Sequence, residues 1–365
     1  MVNDNYIEAK FIIRLNRFVG IVDIDGNHCS VYIPNTGRLS ELLHPGRRVM
    51  LIPSSGKHPY RLQYVIYKDK PIFIDSITSN RIFYDLLTEK RVPMQGDYDS
   101  ITREPCFRDH RFDFSLSENL SGDRDKLFIE LKSVTLAWDN TASFPDAPTI
   151  RGVEHIRALS HSGKGMLVFL IFHSNIDYFI PNYHTDFEFY KTLVDHKENI
   201  QISAFSVEYG VNLDINGLKE VEIILPHVKP SGSYLLIYSN SSCRIADVGH
   251  LGGISFPEGF YIYVGSGKKN LFKRIEYHRR NSVKKHWHVD YIKNHFKLIM
   301  DIPIVTHRDI ECILAERIIE LGGKGIKGFG SSDCRCNSHF FFFASNPLYS
   351  EDFWDMILEE RLSIL

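Results

Sequence analysis

The sequence predicts a multi-domain α/β protein. Three observations carry this prediction. Residues 1–80 read as short alternating strands broken by turns. Residues 81–228 alternate strand patterns with helix patterns. The stretch "PHVKPSGS" (226–233), with two prolines and a glycine, then reads as a linker into a third segment, residues 229–365. The 365 residues suffice for two or three cores, and 43% hydrophobic and 24% charged residues are ordinary for a globular protein. The net charge of −2 carries no global basic signature, so a nucleic-acid site would have to be a local patch. No apolar run reaches the length of a membrane span, and the first residues lack the basic-then-apolar order of a signal peptide. The six cysteines are scattered apart from Cys334 and Cys336. The expectation is a cytoplasmic, reduced protein with no disulfide framework and no membrane partner.

In the first segment, "DIDGNHC" is a hairpin signal and "LHPGRR" a second turn, the pattern of a small all-β barrel. "PNTG" (34–37) is turn chemistry. Asn35 and Thr36 either fix that turn through backbone bonds, the favoured reading, or reach toward a site. Phe11, Phe18, Tyr32 and Arg38 are groups of the kind barrels use on single strands. Most aromatics on short strands are core, so none is singled out for base stacking.

The middle segment opens with a helix, "NRIFYDLLTEK". Two strand patterns follow, "HRFDFSL" (110–116) and "FIELKSVTL" (128–136). Period two puts Phe112, Phe114 and Leu116 on one face of the first, with Arg111, Asp113 and Ser115 on the other. In the second, Ile129, Leu131 and Ser133 share one face; Phe128, Glu130, Lys132 and Val134 share the other. A hairpin folded about Ser121–Gly122 without a bulge sets Asp113 opposite Glu130, with Cβ atoms about 5 Å apart. Two carboxylates at that distance repel unless a cation sits between them. A hard divalent ion with oxygen ligands fits, and Lys132 adds positive charge nearby. The spacing Asp-(x16)-Glu-x-Lys suits metal-dependent phosphodiester chemistry. The bland alternative is a Glu130–Lys132 ion pair on a half-exposed strand, which stabilises little. A helix "GVEHIRALSHSG", a buried strand "GMLVFLIF", a helix near 186–198 and a strand "ISAFSVEY" complete an α/β layer.

"IPNTGRLSELLHPGRRV", "HRFDF", "IELKSVTL", "FPDAPTIRGVEHIRAL" and "MLVFLIF" occur in order over residues 8–228. Together they resemble the sugar fermentation stimulation protein (SfsA) family. The resemblance implies an N-terminal OB-like β-barrel over residues 1–80 and a restriction-endonuclease-like domain of the PD-(D/E)XK type over 81–228. It further implies nucleic-acid binding and nuclease activity on DNA, with RNA as the other substrate. Asp113, Glu130 and Lys132 match its catalytic motif. Mg²⁺ or Mn²⁺ is the implied cofactor, held by Asp113 and Glu130, with Glu104 where an extra acidic ligand of this fold class sits. Glu104 reads equally as a solvated loop residue. Arg111, in "CFRDHR", brings positive charge near the phosphate. Arg151 and His155 are four apart at a helix start and share a face, so both are candidate phosphate contacts. The competing reading pairs Arg151 with Asp146 in a turn shaped by Pro145 and Pro148.

In the third segment "GSYLLIY" (232–238) and "GFYIYVGSGKKNLFKRIEYH" (259–278) read as strand, then strand–turn–basic helix. Tyr263-Val264-Gly265, Leu271, Arg274 and His278 resemble the GIY-YIG endonuclease pattern, with the first motif spelled Gly-Ser-Tyr and a long spacer. That resemblance implies a C-terminal GIY-YIG-like α+β domain. Tyr234 and Tyr263 are then candidates to orient an attacking water, and Arg274 to stabilise charge on the phosphate. Glu316 is the implied metal ligand, with Glu311 as its alternative. From Lys268 to Lys297 the chain carries ten Lys and Arg against Glu276 and Asp290, a local +8. Lys268, Lys269, Lys273 and His278 are candidate backbone contacts within it. His286, His288, Cys334, Cys336 and His339 are soft ligands that would suit zinc, but Cys-x-Cys is a short bite and two thiols on one strand face also simply pack. Zinc is therefore the lesser candidate. The leading reading is a metal-dependent nuclease; the alternative is a regulatory protein that binds nucleic acid without cutting it.

Overall fold

The computed structural model of the chain describes residues 6–94, 96–118, 126–280 and 285–363. The proposed hairpin turn at Ser121–Gly122 lies outside them. The bulk of the chain divides into two compact units, residues 1–226 and 227–361.

The first unit begins with strands β1 (Ile7–Asn16), β2 (Val19–Ile24), β3 (Asn27–Tyr32), β4 (Arg48–Pro53), β5 (Tyr60–Tyr67) and β6 (Lys70–Phe73). Their order is β3-β2-β1-β4-β5-β6, and a parallel pairing of β3 with β5 closes the sheet into a five-stranded barrel. Closure leaves its strands no free edge to pair with another chain. Asp25 and Gly26 both have positive φ, as a two-residue hairpin turn between right-twisted strands requires. Phe11 is core, with Val22, Val31, Leu51 and Leu62, whereas Phe18 is exposed and stacks on Tyr32. The "PNTG" turn is fixed as the favoured reading expects. Asn35 Oδ1 accepts from Gly37 N at 2.8 Å and its Nδ2 donates to Ile74 O at 2.8 Å. Arg38 is exposed beside it.

Helix α1 (Ser76–Thr88), capped by Asp75, leads into β7 (Ser100–Arg103), the short hairpin β8 (Cys106–Phe107) and β9 (His110–Arg111), β10 (Phe114–Ser117) and β11 (Leu127–Val134). Then come β12 (Leu136–Trp138), β13 (Thr141–Phe144), α2 (Ile150–His161), β14 (Gly165–Ile171), β15 (Tyr178–Pro181), α3 (Phe187–His196), β16 (Gln201–Tyr209), β17 (Ile215–Glu220) and β18 (Glu222–Ile223). The main sheet runs β17-β16-β14-β11-β10-β7, with β11, β14 and β16 parallel. All of β14 is buried, because a parallel strand is covered on both faces. On one face Ile129, Leu131, Val168 and Leu170 pack with α1 residues Ile82, Phe83 and Leu86. On the other, Phe128, Val134, Leu167 and Phe169 pack with Val153, Ile156 and Leu159 of α2 and Phe189 and Leu193 of α3. Glu130 and Lys132 share the α2 side, as strand alternation predicts.

The second unit holds β19 (Gly232–Asn240), β20 (Arg244–Asp247), β21 (Gly253–Phe256), β22 (Gly259–Ser266), α4 (Leu271–Arg279), β23 (Lys297–Val305), α5 (Glu311–Glu320), β24 (Lys324–Gly325), β25 (Phe340–Phe343) and most of α6 (Glu351–Leu362). An antiparallel sheet, β23-β19-β22-β25-β24, is its frame. Leu235, Ile237, Ile262 and Val264 pack with Leu314 and Ile318 of α5 and Phe353 and Ile357 of α6. Tyr234 and Tyr238 alternate with Leu235 and Ile237 and so face the other way. No helix among the described residues is long and apolar enough to cross a membrane.

Candidate functional site

The β10–β11 ladder has the predicted register: Phe114 pairs with Ile129, Ser115 with Phe128 and Leu116 with Leu127. The first strand is nevertheless not continuous. The chain bends at Asp113, so Phe112 packs on the α2 side and Phe114 on the α1 side. The expectation that both share a face is corrected by this bend. Asp113 sits in it, where its carboxylate is free of the ladder. Oδ1 accepts from Asn80 Nδ2 of α1 at 2.7 Å and Oδ2 from Leu131 N at 2.8 Å.

Glu130 is buried on β11. Its Oε1 accepts from Lys132 Nζ at 2.7 Å and from His155 Nδ1 of α2. His155 Nε2 in turn accepts from Arg151 Nε at 3.2 Å, so Nδ1 carries the proton. The shared face of Arg151 and His155 holds, but the role given to His155 does not. It is 4% exposed and aimed at Glu130, so it supports a carboxylate and does not contact a phosphate. Asp146 does not pair with Arg151. Its Oδ2 accepts from Leu39 N at 2.9 Å, tying the barrel segment to the loop between β13 and α2. The Glu104 carboxylate lies on the surface, 3.3 Å from Arg111 Nη1. Among the described residues it forms no three-donor cluster with Asp113 and Glu130. Glu104 lies between β7 and β8, just before the hairpin that carries Arg111, and its N–H donates to Asp113 O at 2.9 Å.

The two carboxylates differ electrically. Burial, reinforced by the charge of Glu130, pushes Asp113 up to about 6. Burial also raises Glu130, but Lys132 and His155 outweigh it and hold the pKa below the ordinary value. A half-buried acid beside a buried carboxylate is short of one positive charge.

In the second unit, β19 and β22 set Tyr234 opposite Gly265 and Leu236 opposite Tyr263. The glycine is needed: a Cβ there would lie 2.5 Å from the Tyr234 hydroxyl. The hydroxyl shares a 2.8 Å hydrogen bond with His278 Nε2 of α4. Burial raises both phenols, and the charge of Glu311 adds to that while Arg274 opposes it. Arg274 lies over the Trp287 ring, 4.1 Å from its centroid. Of the two glutamates considered on α5, Glu311 is the one whose charge acts on both phenols. Glu316, expected as the metal ligand, is exposed. Residues 311, 314, 315 and 318 form the inward stripe of α5, and 316 lies off it. His278, expected on a nucleic-acid backbone, is 3% exposed, with its pKa pushed down to about 4 by burial.

The basic segment is less free than its sum. Lys268 pairs with Asp309 at 2.8 Å, Arg279 with Asp301 at 2.9 Å and Arg280 with Glu276 at 3.0 Å. Lys293 is buried against Asp290 at 3.0 Å. Residues 281–284 lie outside the described part, while Lys269 and Lys273 stay exposed. His286 and His288 stand apart from the cysteines. Instead Cys312, Cys334, Cys336 and His339 gather their donor atoms within 4.8 Å of one another. Cys334 and Cys336 lie on a loop, not the strand that the short bite suggested.

Three family models match this chain: "SfsA N-terminal OB domain" at residues 12–74, "Sugar fermentation stimulation protein RE domain" at 77–212 and "Domain of unknown function DUF123" at 233–360. A sugar fermentation stimulation protein homolog of Desulforamulus reducens is 35% identical over 213 residues, 56% of this chain and 87% of that one. Another, of Caldanaerobacter subterraneus subsp. tengcongensis, is 34% identical over 233 residues, 62% of this chain and all of that one. The chain belongs to the sugar fermentation stimulation protein family. Among solved structures, Pyrococcus furiosus SfsA in complex with Ca²⁺ is similar with a TM-score of 0.55 and 28% identity, covering 61% of this chain and 98% of that one. This member of the SfsA family carries a further C-terminal domain, whose matching family has no known function.

Within the SfsA part, the structure brings Asp113, Glu130 and Lys132 together with two residues the sequence reading did not place there. Asn80 reads only as part of a helix start, and nothing in its neighbourhood signals a bond to Asp113, 33 residues away. His155 was visible by its helical spacing from Arg151, but its carboxylate partner is 25 residues back on β11.

Proposed function

We propose that the SfsA part of this protein is a metal-dependent nuclease, with Asp113, Glu130 and Lys132 as its reacting residues and the barrel as a nucleic-acid-binding module. The observation that carries this is the buried Glu130 carboxylate and the half-buried Asp113 carboxylate, with opposed pKa shifts, close to a lysine. The donor set suits a hard divalent cation, Mg²⁺ or Mn²⁺, because it offers carboxylate oxygens in a site short of positive charge. The Ca²⁺ complex of the Pyrococcus furiosus relative supports the same choice. Asp113 and Glu130 would hold the ion, and its chemistry there is Lewis-acid stabilisation of the phosphate. Asn80 and Leu131 N orient the Asp113 oxygens. His155 and Lys132 keep Glu130 ionised, and Arg151 fixes the His155 tautomer. Lys132 places an ammonium where charge develops on a phosphate oxygen. Labelled single- and double-stranded DNA and RNA, incubated with Mg²⁺, Mn²⁺ or a chelator, test the reading. Metal-dependent cleavage is expected, and it falls on the order of 10²–10³-fold in Asp113→Asn. Undiminished cutting by Asp113→Asn in an Arg274→Ala background overturns the assignment.

A second reading concerns residues 233–360. Neighbouring Tyr234 and Tyr263, with Arg274 and Glu311 acting on both, favour a GIY-YIG-like site. On this reading Glu311, rather than Glu316, is the acidic residue. Loss of residual cleavage in Arg274→Ala, in protein already carrying Asp113→Asn, supports it. No residual cleavage with any divalent ion leaves this domain as a binding module.

A further inference from the structure

We propose that Cys312, Cys334, Cys336 and His339 bind one structural Zn²⁺, and that Glu311 orients the histidine ligand. The four donor atoms lie within 4.8 Å of one another, the span of a single ion's coordination sphere. A tetrahedral Zn²⁺ with bonds of about 2.3 Å to sulfur and about 2.0 Å to nitrogen separates those donors by about 3.6 Å. His339 Nε2 stands 3.5 Å from Cys334 Sγ and 4.0 Å from Cys312 Sγ. An iron–sulfur cluster spreads its ligands over several metals and needs a wider cage. Three thiolates and an imidazole are soft donors, which select zinc over the hard cation expected at Asp113 and Glu130. Four protein ligands leave no open position, so the site is structural.

The tautomer agrees. His339 Nδ1 donates to Glu311 Oε1 at 3.1 Å, which leaves Nε2 with its lone pair toward the sulfurs. A carboxylate behind a metal-bound imidazole is the usual outer-shell partner. The site also answers a folding need. Residues 326–339 contain no helix or strand, yet they cross from the sheet edge to the first turn of α5. One ion ligated by Cys312 on α5 and by three residues of this loop pins the two together. It holds Glu311 in place beside the tyrosine pocket at the same time.

The test uses the full chain. Elemental analysis after expression in zinc-supplemented medium is expected to find one zinc per chain. Replacing zinc by Co²⁺ is expected to produce the visible bands of tetrahedral Co²⁺ with sulfur-to-metal charge transfer. Cys336→Ser loses that spectrum; Cys243→Ser, at an exposed cysteine outside the cluster, keeps it. Glu311→Gln keeps the stoichiometry but weakens zinc by about 10–100-fold in a competition titration, the scale of losing an outer-shell partner. Zinc well under one per chain together with an octahedral Co²⁺ spectrum overturns the site. So does a mass two hydrogens short, reporting a disulfide among the three cysteines. Unchanged zinc affinity in Glu311→Gln overturns the role given to that residue. None of these readouts depends on cleavage, so the inference stands or falls apart from the nuclease reading.

Discussion

The pockets of the two units handle buried charge in opposite ways. In the central domain, Asp113 and Glu130 are both acids, and the cations nearby outweigh burial only at Glu130. In the C-terminal domain the buried groups are neutral phenols and a histidine pushed toward its neutral form, and the ionised residues are committed to partners: Asp290 to Lys293, Glu311 to His339. The first arrangement keeps an electrostatic debt that a hard cation relieves; the second has its charges matched and places a soft donor cluster at its border. The two regions should therefore respond to different metals, different pH ranges and different substitutions.

The largest expected effect separates them by catalysis. Asp113→Asn should lower the cleavage rate by on the order of 10²–10³-fold, the scale of removing one charge-stabilising group, with nucleic-acid affinity nearly unchanged. Initial rates at saturating Mg²⁺ and filter binding without metal measure the two quantities. Equal loss of rate and affinity would show that Asp113 holds the fold or the substrate instead.

The second effect is on stability against pH. Asp113 has a folded pKa of about 6, above its unfolded 3.8. Its contribution is therefore fully present below pH 3.8 and is lost as pH rises through 6. His278 runs the other way: its folded pKa of about 4 lies below the unfolded 6.5, so its contribution is present above 6.5 and fades as pH falls through 4. Relative to the parent, metal-free Asp113→Asn should gain on the order of 1–3 kcal/mol at pH 7 and lose that advantage near pH 4. His278→Gln should show its own relative gain only in acid. Urea unfolding of each variant at pH 4 and 7 measures this, and parallel pH profiles would erase the contrast.

A smaller effect tests the acid on α5. Glu316→Ala should change stability by no more than about 0.5 kcal/mol, as a surface substitution does, and leave zinc affinity alone. His155→Ala, by comparison, strips Glu130 of a buried partner and should cost about 1–3 kcal/mol in urea unfolding. If the exposed and the buried substitution cost the same, the assignment of buried partners fails.

The smallest effect lies on the basic segment. Lys268, Arg279, Arg280 and Lys293 are paired within the protein, so on the nucleic-acid-binding reading Lys269 and Lys273 are the better candidates for backbone contacts. Each Ala substitution there should reduce the slope of log affinity against log salt by about 1. Lys293→Ala should leave the slope alone and lower stability. A slope that drops equally for Lys293 would show that the buried pair opens on binding.

Much was legible in the sequence where the information is local. Alternation put Glu130 and Lys132 on one face, the hairpin register followed from pairing geometry, and helical spacing joined Arg151 to His155. Helical spacing also separates Glu311, which lies on the apolar stripe of Leu314, Ala315 and Ile318, from Glu316, the implied ligand, which lies off it. What only the tertiary structure decided are relations between distant segments. Asn80 meets Asp113 because α1 packs on the sheet; His155 meets Glu130 because α2 covers the other face. The bend at Asp113 is invisible to period two, since both Phe112 and Phe114 are apolar and each face of the sheet is a core that accepts either. Cys312 joins Cys334, Cys336 and His339 only because α5 and the loop before β25 converge. Hydropathy and spacing report which side of its own element a residue takes. They carry no term for which element lies across from it, and the partners at both candidate sites lie across.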